Sequence, residues 1–160
     1  MANEREGPEQ AGERRGATPD VRAQRRESRA AQTYAVFLKD LEARAGIGRE
    51  RAEQVAQSVL CVLEQRLIDT EVKQMEAQLP RKMRDLLQRC SRHEGATPRK
   101  FKLEEFLAMV SEDLDTTPNE AERLSRAVCA TVREHISEGE AEDVMGQLPA
   151  DLRALWAREA

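Results

Sequence analysis

From residue 34 onward the chain repeats itself at an offset of 69 residues with no gap. Phe37-Leu38 returns as Phe106-Leu107, Ala52-Glu53 as Ala121-Glu122, and Gln78-Leu79-Pro80 as Gln147-Leu148-Pro149. Val59, Glu71, Arg84, Leu86 and Arg89 return as Val128, Glu140, Arg153, Leu155 and Arg158. The apolar pattern agrees almost throughout. Repeats fix architecture before any local detail does. Two copies indicate one duplicated unit rather than a solenoid.

Each unit reads as four helices. Tyr34, Phe37, Leu38, Leu41 and Ala45 fall at i, i+3, i+4, i+7 and i+11, and Leu103, Phe106, Leu107, Val110 and Leu114 do the same. That is one apolar stripe at the helical period. A second helix carries Ala52, Val55, Val59, Val62, Leu63 and Leu67, answered by Ala121, Leu124, Val128, Val132 and Ile136. Val72, Met75 and Leu79 mark a third, and Met83, Leu86 and Leu87 a fourth, with counterparts Ala141, Val144 and Leu148, then Leu152, Leu155 and Trp156. Thr117-Pro118-Asn119-Glu120 offers a hydroxyl cap, a proline at the first helical position and a capping-box Glu, and Ser137-Glu138-Gly139-Glu140 repeats the signal. Pro80 and Pro149 push Leu79 and Leu148 out of helical geometry and begin the fourth helix at its first position. No alternating run of strand length occurs.

The expected fold is therefore all-α: internally duplicated four-helix units, about eight helices, packed as a pseudo-twofold helical bundle. The expected boundaries are a disordered tail at 1–31, helical repeat 1 at 32–91, a linker at 92–101 and helical repeat 2 at 102–160. The tail lacks an apolar period and cannot bury enough surface to offset its ordering entropy, although Val21–Ala31 has helical character. Its arginines, Arg14, Arg15, Arg22, Arg25, Arg26 and Arg29, suit an anionic partner. Units this small are marginal alone, so the two should pack on each other through Ala56, Cys61 and Val62. Gln78 and Gln147 are expected to satisfy backbone groups at the corner between the third and fourth helices.

The net charge of −4 hides a gradient. Residues 34–91 carry ten basic and nine acidic side chains, 92–102 four and one, and 103–160 five and fourteen. The acidic second unit thus faces a basic segment formed by Arg81, Lys82, Arg84, Arg89, Arg92, Arg99, Lys100 and Lys102. Opposed surfaces of this kind suit protein contact or self-association. The contact residues expected are Arg81, Lys82, Arg84 and Arg89 on one side and Glu138, Glu140, Glu142 and Asp143 on the other. Nucleic-acid binding is not expected, because the segment lacks interleaved aromatics and the acidic half repels phosphate. The alternatives are a nucleic-acid-associated regulator using 81–102, or a small ligand held between the repeats.

Catalytic constellations are missing. His93 falls in the linker. His135 aligns with Arg66 and reads as a cation at a helix C-terminus. Three widely spaced cysteines make no disulfide framework. Cys129 and Cys61 read as small buried residues, and Cys90, followed by Arg92 and His93, is the thiol most open to reaction. Zinc and di-iron ligand spacings are absent. Asp113-Leu114-Asp115 fails as a calcium loop, because Pro118 and Leu124 stand where Gly and Glu are needed. No glycine-rich phosphate loop exists. The expectation is a non-enzyme with no cofactor and no metal. No membrane-span-length apolar run and no signal peptide are visible, so a cytoplasmic location is expected.

The second unit, Phe106 to Trp156, resembles the bacterial family called domain of unknown function 2267. The resemblance rests on Glu120-Ala121-Glu122-Arg123, Ala127-Val128, Ile136 to Ala141, Gln147-Leu148-Pro149 and Leu152-Arg153 with Leu155. The first unit is similar but divergent, with Ile68-Asp69-Thr70 where the second has Ser-Glu-Gly. The resemblance implies an all-helical bacterial protein, often with the domain doubled, and no assigned activity.

Overall fold

A computed structural model describes residues 19–90 and 100–156 of the chain, apart from the side chains of residues 27, 30 and 31. The first part of the expected tail, the 91–99 connection with Arg92, His93 and Arg99, and residues 157–160 lie outside the described residues. Among the described residues there are eight helices: α1 Pro19–Ala45, α2 Arg49–Glu64, α3 Asp69–Gln78, α4 Arg81–Gln88, α5 Leu103–Leu114, α6 Pro118–His135, α7 Glu138–Gln147 and α8 Ala150–Trp156. The chain is all-α. The 69-residue offset recurs in the helix limits: α1 and α5 end at 45 and 114, α2 and α6 begin at 49 and 118, and α3 and α7 coincide at both ends.

Local chemistry explains these limits. α1 and α5 both stop on a left-handed residue, Gly46 at φ 64° and Asp115 at φ 51°. The following amides, of Ile47 and Thr116, return to the carbonyls of Glu42 and Ser111 at 3.3 and 3.0 Å. This closes each helix with the backbone bonds of a left-handed cap, a conformation glycine adopts without steric cost. Thr117 and Ser137 cap α6 and α7 as expected, accepting from the amides of Glu120 and Glu140, each at 3.2 Å. The expected capping box at α6 is only half made, because the Glu120 carboxylate turns to Arg123. Leu79 and Leu148 are extended, with ψ of 158° and 141°, as a following proline requires. Pro80 precedes α4 as its cap rather than occupying its first turn.

The sequence boundary at residue 31 is corrected by α1, which begins at Pro19. Residues 19–31 lack an apolar stripe but are rich in Arg and Ala, good helix formers. They follow a proline at the first position and an acid, Asp20, in the first turn. α1 is about 40 Å long, from 1.5 Å per residue, and only its C-terminal portion contributes to the core.

The two halves interlock. α1 packs on α6 as well as α2, and α5 packs on α2 as well as α6. α2 meets α6, and α3 meets α7. Phe37, Leu38, Leu41, Val59, Leu60, Phe106, Val110, Val128 and Val132 are fully buried in one continuous core. Polar ties reinforce both crossings. Arg123 Nη1 donates to the Ala45 carbonyl at the end of α1, 2.7 Å away, and Arg51 Nη2 to the Leu114 carbonyl at the end of α5, 3.0 Å away. These carbonyls are equivalent under the offset, although the guanidiniums come from positions one turn apart. Each arginine supplies the cation that a helix C-terminus favours.

Candidate functional site

The expected contact residues divide into two groups. Glu138, Glu142 and Asp143 are exposed on α7, and Arg89 is exposed after α4. Arg81, Lys82 and Arg84 are half-buried. Glu140 is buried, which corrects its assignment to the surface: it follows Ser137 into the first turn of α7 and faces inward toward α3.

That inward face is the seam between the halves. The Glu140 carboxyl hydrogen-bonds Glu71, its own counterpart under the offset. Burial pushes the Glu140 carboxyl well above the ordinary carboxylate range, and the hydrogen bond and charge of Glu71, with Asp143 nearby, push it further. The Glu140 carboxyl therefore holds its proton to higher pH than an exposed glutamate does. Gln147 Nε2 donates to Glu71 Oε2 at 3.3 Å. Its Oε1 accepts from the Ile68 amide at 3.0 Å, and Gln78 Oε1 accepts from the Ser137 amide at 2.6 Å. Each glutamine thus caps the opposite half's third helix, not the corner of its own half. The exchange is reciprocal, as a twofold axis between α3 and α7 requires. Ile68, which has no side chain able to cap α3, is served by Gln147 instead.

A second acid pair lies inside the first half. Glu64 and Glu76 are both buried, and burial, then the hydrogen bond to Glu76, raises the Glu64 carboxyl strongly. The residue equivalent to Glu64 is Arg133, whose Nη1 donates to the Trp156 carbonyl at 3.0 Å. Sequence reasoning missed both pairs because a glutamate in an amphipathic helix looks like a solvated charge.

His135 sits at the end of α6 with its Nε2 3.2 Å from Asp40 Oδ2 and its ring edge-on to Phe37 at 5.2 Å. Beside it Arg44 pairs with Glu134 at 2.5 Å. These contacts tie α6 to α1, which is a structural role. Cys129 is buried, and burial pushes its thiol up to about 12. Cys61 and Cys90 are joined, with Cα atoms 6.4 Å apart, inside the roughly 4.4–6.8 Å range of disulfides. This corrects the reading of Cys90 as a reactive free thiol and of the cysteines as making no disulfide. The bond lies on a groove of about 530 Å³ lined by Arg51, Gln57, Ser58 and Asp113 among others. Ser58 Oγ donates to Asp113 Oδ2 there at 2.9 Å, joining α2 to α5.

Among the described residues no three His, Cys, Asp or Glu side chains are grouped so as to hold a metal ion. No described helix is long and apolar enough to cross a membrane. No curated protein matches the chain. The sequence pattern of the uncharacterized conserved proteins (DUF2267) matches residues 34–155, from the first core aromatic of α1 to the last leucine of α8, and the chain belongs to that family.

Proposed function

We propose that this chain is a non-enzymatic helical interaction module of the bacterial cytoplasm that associates head to tail with a second copy of itself. The observation that carries this reading is a pair of opposed surfaces on two helices. Arg22, Arg25, Arg26 and Arg29 are exposed at i, i+3, i+4 and i+7 of α1, along the part that extends past the core residues. On α7 the exposed residues are Glu138, Gly139, Glu142, Asp143 and Gly146. Among the described residues nothing lies within 4 Å of where a Cβ would stand on either glycine, so a helix can approach that acidic strip closely. The equivalent face of α3 differs: Lys73 pairs with Asp69 at 3.1 Å and leaves little net charge. We read the two halves as copies whose cores have been kept while their surfaces separated.

Charge complementarity of this type steers association and is screened by salt. Sedimentation of the full chain at about 20 mM and about 500 mM salt, on either side of strong screening, tests it. Association at low salt that is lost at high salt is expected. A monomer under both conditions refutes the reading, and a low-salt shift with DNA or RNA in place of self-association would favour a nucleic-acid partner.

A further inference from the structure

The Cys61–Cys90 bond stands where the second half uses different chemistry. There, Arg126 and Arg133 on α6 donate to the carbonyls of Ala154 and Trp156 at 2.9 and 3.0 Å, tying α6 to the end of α8. The equivalent positions on α2 are Gln57 and Glu64, neither of which is a cation. The tie from α2 to the end of α4 is covalent instead. Its Cys61 end is buried at the edge of the core. Cys90 is half-exposed, and both cysteines line the groove beside Ser58 and Asp113, Cys61 from a buried position. α4 keeps its own apolar anchors, Met83 and Leu87, which are fully buried. Opening the bond would therefore release the end of α4 without dismantling the helix.

We propose that Cys61 and Cys90 form a reversible dithiol–disulfide switch that latches the end of α4 to α2 and is opened by a dithiol reductant entering the groove. Exposed disulfides are the labile ones, because exchange needs access of a thiolate to a sulfur. The reductant's thiolate attacks the half-exposed Cys90 Sγ. The S–S bond breaks, and its electron pair leaves on Cys61 Sγ, which takes up a proton. The reductant's second thiol then attacks the mixed disulfide and expels the Cys90 thiolate, which is protonated in turn. One disulfide and one dithiol become two cysteine thiols and one oxidised reductant. Cys129 takes no part, being buried away from solvent.

The test treats the native full chain with dithiothreitol, then iodoacetamide, with peptide mass spectrometry and amide hydrogen exchange on each state. The oxidised protein is expected to take no tag at Cys61 or Cys90. After reduction both are tagged, Cys129 stays untagged, helicity by circular dichroism is unchanged, and exchange in 81–90 rises by on the order of tenfold as that segment opens locally. The Cys61→Ser/Cys90→Ser variant should show the raised exchange in 81–90 with or without dithiothreitol. Tagging of the pair only after a denaturant is added would make the bond a permanent staple and overturn the proposal. So would unchanged exchange in 81–90 between the two states, or thiols that stay free after equilibration with oxidised glutathione.

Discussion

Gln78 and Gln147 occupy equivalent places in the two halves, and each caps the third helix of the other: Gln78 accepts from the Ser137 amide at 2.6 Å and Gln147 from the Ile68 amide at 3.0 Å. A residue kept at both positions of a repeat is thus used between the halves. The same holds for Glu71 and Glu140, which meet at the seam. The duplicated pattern in the sequence marks a contact as well as a fold.

Replacing either glutamine by alanine should cost about 0.5–1 kcal/mol, the usual net worth of one hydrogen bond to an accessible amide. Gln147→Ala should cost the more, because Gln147 also donates to Glu71. Urea denaturation followed by circular dichroism measures both. Equal stability of both variants and the parent would show that water replaces the side chains fully.

The raised Glu140 carboxyl at the seam gives stability a definite pH dependence. The folded Glu140 carboxyl is raised, so the folded chain holds a proton that the unfolded chain releases above about pH 4.3. The native state then binds more protons than the unfolded one, and this contribution, full at low pH, declines as pH rises toward the folded value. Glu140→Gln removes the ionisation and can still donate to Glu71. It should raise the melting temperature more at pH 8 than at pH 5. A gain that is equal at the two pH values would mean that the Glu140 carboxyl is not raised in the folded chain.

Because α1 packs on α6 and α5 on α2, damage in either half should be felt in both. Phe37→Ala and Phe106→Ala each remove a fully buried ring, worth about 3–5 kcal/mol. The chain has one tryptophan, Trp156, buried in the second half. Phe37→Ala, in the first half, should shift the Trp156 fluorescence transition and the circular dichroism transition to the same lower midpoint. Two separated transitions would show that the halves unfold independently.

Helix periods, the hydroxyl caps Thr117 and Ser137 and the extended residues before proline were legible in the sequence, because each is a local property of a few neighbours. The seam was not. Gln78 and Gln147 were visible as a pair, but only the crossing of α3 and α7 tells which amides they reach. Glu64, Glu71, Glu76 and Glu140 have the composition of a solvated face, and burial alone distinguishes them. Cys61 and Cys90, 29 residues apart, match no motif; they meet because α4 folds back along α2. The start of α1 was legible only as helical character over Val21–Ala31, because residues 19–31 have no apolar period and carry only propensity.

The most direct test of head-to-tail association is a mixing measurement. Arg25→Glu/Arg29→Glu makes the end of α1 acidic, and Glu142→Lys/Asp143→Lys makes the face of α7 basic. At low salt each variant alone should sediment as a monomer, because its two surfaces now carry like charge. An equimolar mixture should recover an associated species, since the unaltered arm of one meets the unaltered face of the other. Association of either variant alone to the parent's extent, or a mixture that stays monomeric, would contradict the account.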